Sequence, residues 1–319
     1  IAEAAAGLGV EPLVTGLLLS LAAACIFFFG INLFGLSAVV VPVMAVGYIA
    51  ASVAVIVFHA ADLPAALASI LDGAFRPAAA TGGFVGFLLS PALRQGIVKG
   101  LFSNEAGCGT AAAAHAETKE TVPARQGLFG ILEVFCDTVL LCTLTALAIL
   151  TSLGDDLAVY GAAGVRLCTA AFATVFGKGA PLLMFAFVFL FAFATIVAYG
   201  YYGMASLGYF TGGRGARGAF LVCYCLAQLC GALAAPAAVW TLSDTVICLL
   251  LFVNMAAVTV SAKEIFAAHD AFYAQIGKYA QSASRMKSRC AASAKKESAI
   301  SDSAMNSGEM PYFVQNRAK

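Results

Sequence analysis

From Val14 to Asn32, and again from Leu36 to His59, there is no Asp, Glu, Lys or Arg. At 1.5 Å per residue, such a run folded as a helix is about as long as the hydrocarbon core of a bilayer is thick, roughly 30 Å. Inside that core every backbone donor and acceptor needs a partner within the protein, which restricts the chain to helices or a closed barrel. The runs are strings of Ala, Leu, Phe and Val without alternating polar residues, so a helical bundle is predicted rather than a barrel. Five more stretches follow the same pattern: Gln95 to Ala116, Gly127 to Leu150, Ala180 to Met204, Gly218 to Ala235 and Ala238 to Ser261. Seven crossings of an all-α integral membrane protein are therefore expected.

The composition agrees. Only 11% of the residues are charged and the mean hydropathy is +0.91, whereas a soluble domain carries about a quarter charged residues. A formal net charge of +1 leaves no electrostatic footprint for nucleic acid, so lipid and not nucleic acid is the expected surroundings. Most of the 10 cysteines lie inside apolar runs, where a thiol behaves as a small hydrophobe; neither a disulfide framework nor a zinc site is expected. The chain opens at Ile1 without a basic region of the signal-peptide kind, and is expected to be the remainder of a longer protein.

Two polar-flanked stretches, Leu63 to Phe75 and Leu157 to Phe176, carry apolar residues at helical spacing and read as interfacial helices or re-entrant lids. The transmembrane part runs over residues 1–262. Residues 263–319 form a tail holding much of the Lys and Arg: an amphipathic first half (Ile265, Phe272, Ile276, Tyr279), then a Ser, Ala and Lys-rich stretch from Ser282 that predicts disorder. By the positive-inside rule the tail is expected to be cytoplasmic. The loops discriminate little, with Lys119, Arg125, Arg214 and Arg217 on one side and Arg76, Arg94, Arg166 and Lys178 on the other.

The third run is interrupted by GLFSNEAGCGTAAAAHAE, Gly100 to Glu117. Gly100, Gly107 and Gly109 bracket Asn104 and Glu105, so the helix can unwind there and bare its carbonyls and amides at membrane depth. Irregular backbone at that depth is tolerated where it lines a cavity or is buried in protein, and transporters place substrate and ion at such breaks. A second reading stands beside it: the glycines permit close helix packing and Glu105 is a neutral, hydrogen-bonded packing residue.

GLFSNEAGCGTAAAAHA, followed by Arg125, Gln126 and Gly127 and then GILEVFCDTVLLCTLTALAIL, closely resembles the alanine or glycine:cation symporter family. The resemblance covers about Ile1 to Tyr273, including Pro42, Leu63 to Ala79, Gly82 to Phe84, Val175 to Gly177, and Trp240 with Asp244. It implies a leucine-transporter-type inverted-repeat helical bundle of the amino acid-polyamine-organocation kind. The seven spans would be helices four to ten, with helices one to three absent and the SNEAG span opening the second repeat.

The resemblance also implies site residues. Ser103, Asn104, Glu105, Gly107, Gly109, Thr110 and Tyr199 would contact the substrate, and Thr195 the cation. A Thr hydroxyl with carbonyls suits sodium, a hard ion, although Thr195 also reads as bonding the carbonyl one turn back. This chain departs from the family where a Ser is replaced by Ala194, a Gly by Ala198, a Trp by Tyr199 and a Glu by Met204, with Thr110 and Ala112 as milder changes. Glu133 and Asp137 share a helix face and read either as a proton or cation site or as structural groups. Trp240 and Asp244 read as an interfacial anchor and a helix-end contact, Asn254 as bonding a neighbouring helix, and His115 as a helix-end dipole partner.

The expected function is therefore sodium-coupled symport of a small neutral amino acid, alanine or glycine, by alternating access in the plasma membrane. A proton is the other candidate ion, and no cofactor and no covalent chemistry are implied. The alternative is a non-transporting sensor or degenerate paralogue of the same family. An intramembrane enzyme using His59, His115 or a cysteine is disfavoured because no His/Cys pair has ligand spacing. The number of protomers is left open.

Overall fold

The computed structural model describes residues 1–29, 34–75, 96–100, 103, 105, 107–116, 118–154, 157 and 164–306. They form helices: α1 (Ala2–Ala6), α2 (Pro12–Phe29), α3 (Phe34–Phe58), α4 (Leu63–Phe75), α5 (Thr110–Ala116), α6 (Pro123–Val134), α7 (Cys142–Leu153), α8 (Gly164–Phe176), α9 (Ala180–Phe210), α10 (Arg214–Leu233), α11 (Pro236–Val260) and α12 (Ala262–Asn306). A π-helical turn, Phe135–Leu141, joins α6 to α7. Proline opens α2, α6 and α11 and stands second in α9. Its fixed φ suits a first turn, where a missing N–H costs nothing.

Six helical segments of the described residues are long and apolar enough to cross a membrane. They coincide with six of the seven runs expected from the sequence. The remaining run, Gln95 to Ala116, is not one continuous helix. It is helical at 96–100 and over α5, with Glu105, Gly107 and Gly109 all at positive φ between them, a conformation no α-helix contains. Leu63 to Phe75 forms α4 over the residues expected; of the second polar-flanked stretch, Gly164–Phe176 is helical as α8 and 158–163 lie outside the described residues. Gly82 to Phe84 and Gln95 lie outside the described residues.

The chain divides into two compact units, residues 1–119 with 129–256, and residues 120–128 with 257–319. In the first, α3, α7, α8 and α9 pack around Tyr48, Val55, Ala148, Ala171, Phe172 and Met184. Alanines at 51, 148, 171 and 180 are buried there and let the backbones approach, the means by which helices associate where lipid is as apolar as leucine. The Tyr48 ring stacks on Phe172 at 5.9 Å and meets Phe187 and Phe191 edge-on at 5.4 and 6.1 Å. Thr145 commits its hydroxyl proton to the Leu141 carbonyl at 2.8 Å, so the Tyr48 hydroxyl is the donor in its 2.6 Å bond to Thr145.

A second contact joins α2 to α10. Ser20 donates to the Cys225 carbonyl at 2.9 Å, Phe27 meets Tyr224 edge-on at 6.1 Å, and Tyr224 donates to the Ile196 carbonyl of α9 at 2.5 Å. Gly200 of α9 completes this corner, and a Cβ there would run into the Phe27 ring. Gly200→Ala is therefore expected to destabilise the purified protein by about 1–3 kcal/mol, the range for overpacking. A thermal scan in detergent checks it, and an unchanged unfolding midpoint would show that α2 and α9 do not pack this way.

In the second unit, Glu120 accepts the Val122 amide at 3.0 Å and Arg125 at 3.2 Å. The amide first, and the guanidinium after it, hold this carboxyl below its ordinary range. Helix α12 continues through Asn306, past Ser282, where the composition predicts disorder. Ala, Lys, Met and Glu populate that stretch, and all of them have high helix propensity.

Candidate functional site

The break in the third run is built by three residues with positive φ: Glu105 at 52°, Gly107 at 83° and Gly109 at 84°. For the glycines this conformation carries no steric penalty, whereas for Glu105 it costs roughly 1–2 kcal/mol. Glu105 is held there by its backbone and its side chain together. Its carbonyl accepts the Cys108 amide at 3.0 Å. One carboxylate oxygen accepts the Thr110 hydroxyl at 2.5 Å and the other accepts the Tyr199 hydroxyl from α9.

Close packing imposes glycine at 107 and 109 a second time. A Cβ on Gly107 would lie 2.9 Å from a Leu251 methyl carbon, and one on Gly109 would lie 2.9 Å from the Asn254 amide oxygen. Both readings of the motif glycines hold at once: they unwind the chain and they admit a neighbouring helix.

The break faces a cavity of about 500 Å³. Among the described residues its wall contains three carboxylates, Glu105, Glu133 and Asp137, and no Lys or Arg. Asp137 sits on the π-helical turn and accepts the Ser103 hydroxyl at 2.6 Å. Such turns widen a helix by one residue and recur at functional sites. Glu133 lies 3.3 Å from the His115 imidazole. Among the described residues no group of three His, Cys, Asp or Glu side chains could hold a metal ion of the multi-carboxylate or His/Cys kind.

The structure thus brings together Ser103, Glu105, Thr110, Thr195 and Tyr199, in or directly bonded to the wall of one cavity. Thr195 donates to the Phe191 carbonyl at 3.0 Å, the local bond its second reading expects, and lines the cavity as well. Gly107 and Gly109 shape the break from behind. Asn104 lies outside the described residues. Phe191 ties this site to the core, because its ring packs on Tyr48 and its carbonyl holds Thr195.

One feature escaped sequence reasoning. Lys99 pairs with Asp244 at 2.7 Å and lies 4.7 Å over the Trp240 ring. The spacing of Trp240 and Asp244, one helical turn apart, was legible; a partner 145 residues away was not.

A set of membrane-length helices, beside a run broken at a carboxylate-lined cavity, defines a multi-pass helical membrane protein. The comparison with known proteins is specific. The model of the sodium:alanine symporter family matches residues 1–286. An uncharacterized transporter of Haemophilus influenzae is 35% identical over 78% of this chain and 54% of its own length. A sodium/alanine symporter of Methanococcus maripaludis is 32% identical over 76% and 52%, and a putative sodium/proton-dependent alanine carrier protein of Bacillus subtilis 33% over 80% and 55%. The chain belongs to the sodium:alanine symporter family, and is a multi-pass helical membrane protein. It spans about half the length of the curated relatives it matches.

Proposed function

We propose that the protein is a secondary active symporter that moves a small neutral amino acid, alanine or glycine, together with sodium. The observation that carries this reading is the charge of the cavity wall. Among the described residues, three wall carboxylates without a Lys or Arg favour cargo with net positive charge, and a zwitterionic amino acid with one sodium ion carries +1. An anionic substrate alone would meet only repulsion there. Glu105 would receive the substrate ammonium, and the Thr195 oxygen, whose proton is committed to Phe191, would offer its lone pairs to the ion.

Family membership supports a leucine-transporter-type inverted-repeat architecture, with the break opening the second repeat and alternating access about it. Coupling is then reciprocal binding: sodium raises the affinity for the amino acid, and the amino acid raises that for sodium by the same factor. The plasma membrane is the expected location. The Lys and Arg content of α12 supports a cytoplasmic tail.

The test is uptake of labelled alanine and glycine by the complete protein in proteoliposomes. An imposed sodium gradient is expected to drive accumulation that a proton gradient of equal size does not. Accumulation with the proton gradient alone would overturn the choice of ion. Substrate binding without any uptake would overturn symport in favour of a non-transporting paralogue, the reading that Ala194 and Tyr199 in place of Ser and Trp favour. In the same assay Thr195→Ala is expected to raise the sodium concentration for half-maximal uptake about tenfold, the equivalent of one ion–dipole contact of roughly 1.4 kcal/mol.

A further inference from the structure

Helix α11 contacts the break on both of its sides. Ahead of it, Lys99 donates to both oxygens of Asp244, at 2.7 and 3.1 Å, beneath the Trp240 ring. After it, the Asn254 side-chain amide donates to the Gly107 carbonyl at 2.9 Å. The order of the contacts, 99 with 244 and 107 with 254, means that the two segments run parallel. On α11 the contacts are ten residues apart, about 15 Å.

These contacts stand out because apolar packing attaches α11 so little. The helix has no buried residue, and Leu242, Leu249, Phe252, Val253 and Met255 are 62–76% exposed. In an unbroken helix the Gly107 carbonyl would accept an amide four residues on, and the left-handed turn at Gly107 and Gly109 redirects the backbone. Asn254 supplies a donor for that carbonyl. Its amide oxygen stands where a Cβ on Gly109 would have to go, so the same side chain both bonds and shapes the turn.

We infer that α11 is the splint of the break and that Asn254 is its positioning residue, holding the turn at 107–109 so that Glu105, bonded by Thr110, faces the cavity. Lys99 and Asp244 anchor the splint ahead of the break. A shift of α11 therefore has to carry the break with it. Only the consequence for uptake rests on the symport reading; the positioning itself does not.

Cys108 reports on the turn directly, lying between the two glycines at 6% exposure. Cys168 of α8 is the internal control, part of the packing around the Tyr48 core. In the complete protein, site-resolved alkylation with N-ethylmaleimide, read by mass spectrometry, is compared between wild type and two variants. Asn254→Leu keeps the branching at Cγ and removes the donor, while Asn254→Ala removes the donor without any risk of overpacking. Both are expected to raise the Cys108 rate about tenfold, as loss of one hydrogen bond worth about 1.4 kcal/mol would, with Cys168 changing less than about twofold. An unchanged Cys108 rate, or an equal rise at both cysteines, would overturn the inference, since the second is general loosening. The readout needs no transport. A wild type without uptake would sink the symport reading and leave the alkylation result to decide the splint on its own.

Discussion

Glu105→Gln in the complete protein is expected to abolish gradient-driven amino acid uptake while leaving its elution as a monodisperse peak unchanged. The carboxylate is the acceptor of two hydroxyl bonds, from Thr110 and Tyr199, and hydrogen bonds to a charged group are worth about 1.5–3 kcal/mol each. Glutamine keeps one acceptor and turns the other into a donor, so one of these hydroxyls then faces an N–H. The negative charge that, in the proposed symport, would receive the substrate ammonium is lost as well. Together these effects predict a fall in apparent substrate affinity of about a hundredfold or more. Tyr199→Phe separates the two contributions, because it removes one donor and keeps the charge, and a decrease of about tenfold is expected. Full uptake by Glu105→Gln would make Glu105 a neutral packing residue, the competing reading of the motif.

The second large effect lies away from the cavity. Phe172 is wholly buried, stacks on Tyr48 and sits between α3, α7 and α9. Phe172→Ala is expected to cost about 3–5 kcal/mol, since truncating a buried aromatic leaves a cavity that close-packed helices fill only in part. The thermal midpoint in detergent should fall by several degrees. Uptake per folded molecule should fall too, because Phe191, which packs on the same Tyr48 ring, carries the carbonyl that holds Thr195. A midpoint within a degree of wild type would mean that this cluster is not the core of the unit.

The two predictions differ in how far the sequence anticipates them. Glu105 stands out in the sequence because an ionisable residue among glycines, within an apolar run, has few structural reasons to exist. Phe172 does not stand out among 24 phenylalanines. In a lipid-facing bundle, hydrophobicity marks every helix surface, so composition cannot tell the face that meets protein from the face that meets lipid.

The sequence by itself determined which segments are long and apolar enough to cross a membrane, where the third run is interrupted, and the family. Each follows from local physics: the length of an apolar run against the bilayer, the freedom of glycine, and a motif contiguous in the chain. Only the tertiary structure decided that Tyr199 closes on Glu105, that Ser103 bonds Asp137 on a π-helical turn, and that Lys99 and Gly107 are both gripped by α11. Those pairs lie 34 to 147 residues apart. No periodicity links their partners, because which helix faces meet is set by the packing of the whole bundle and not by any one segment.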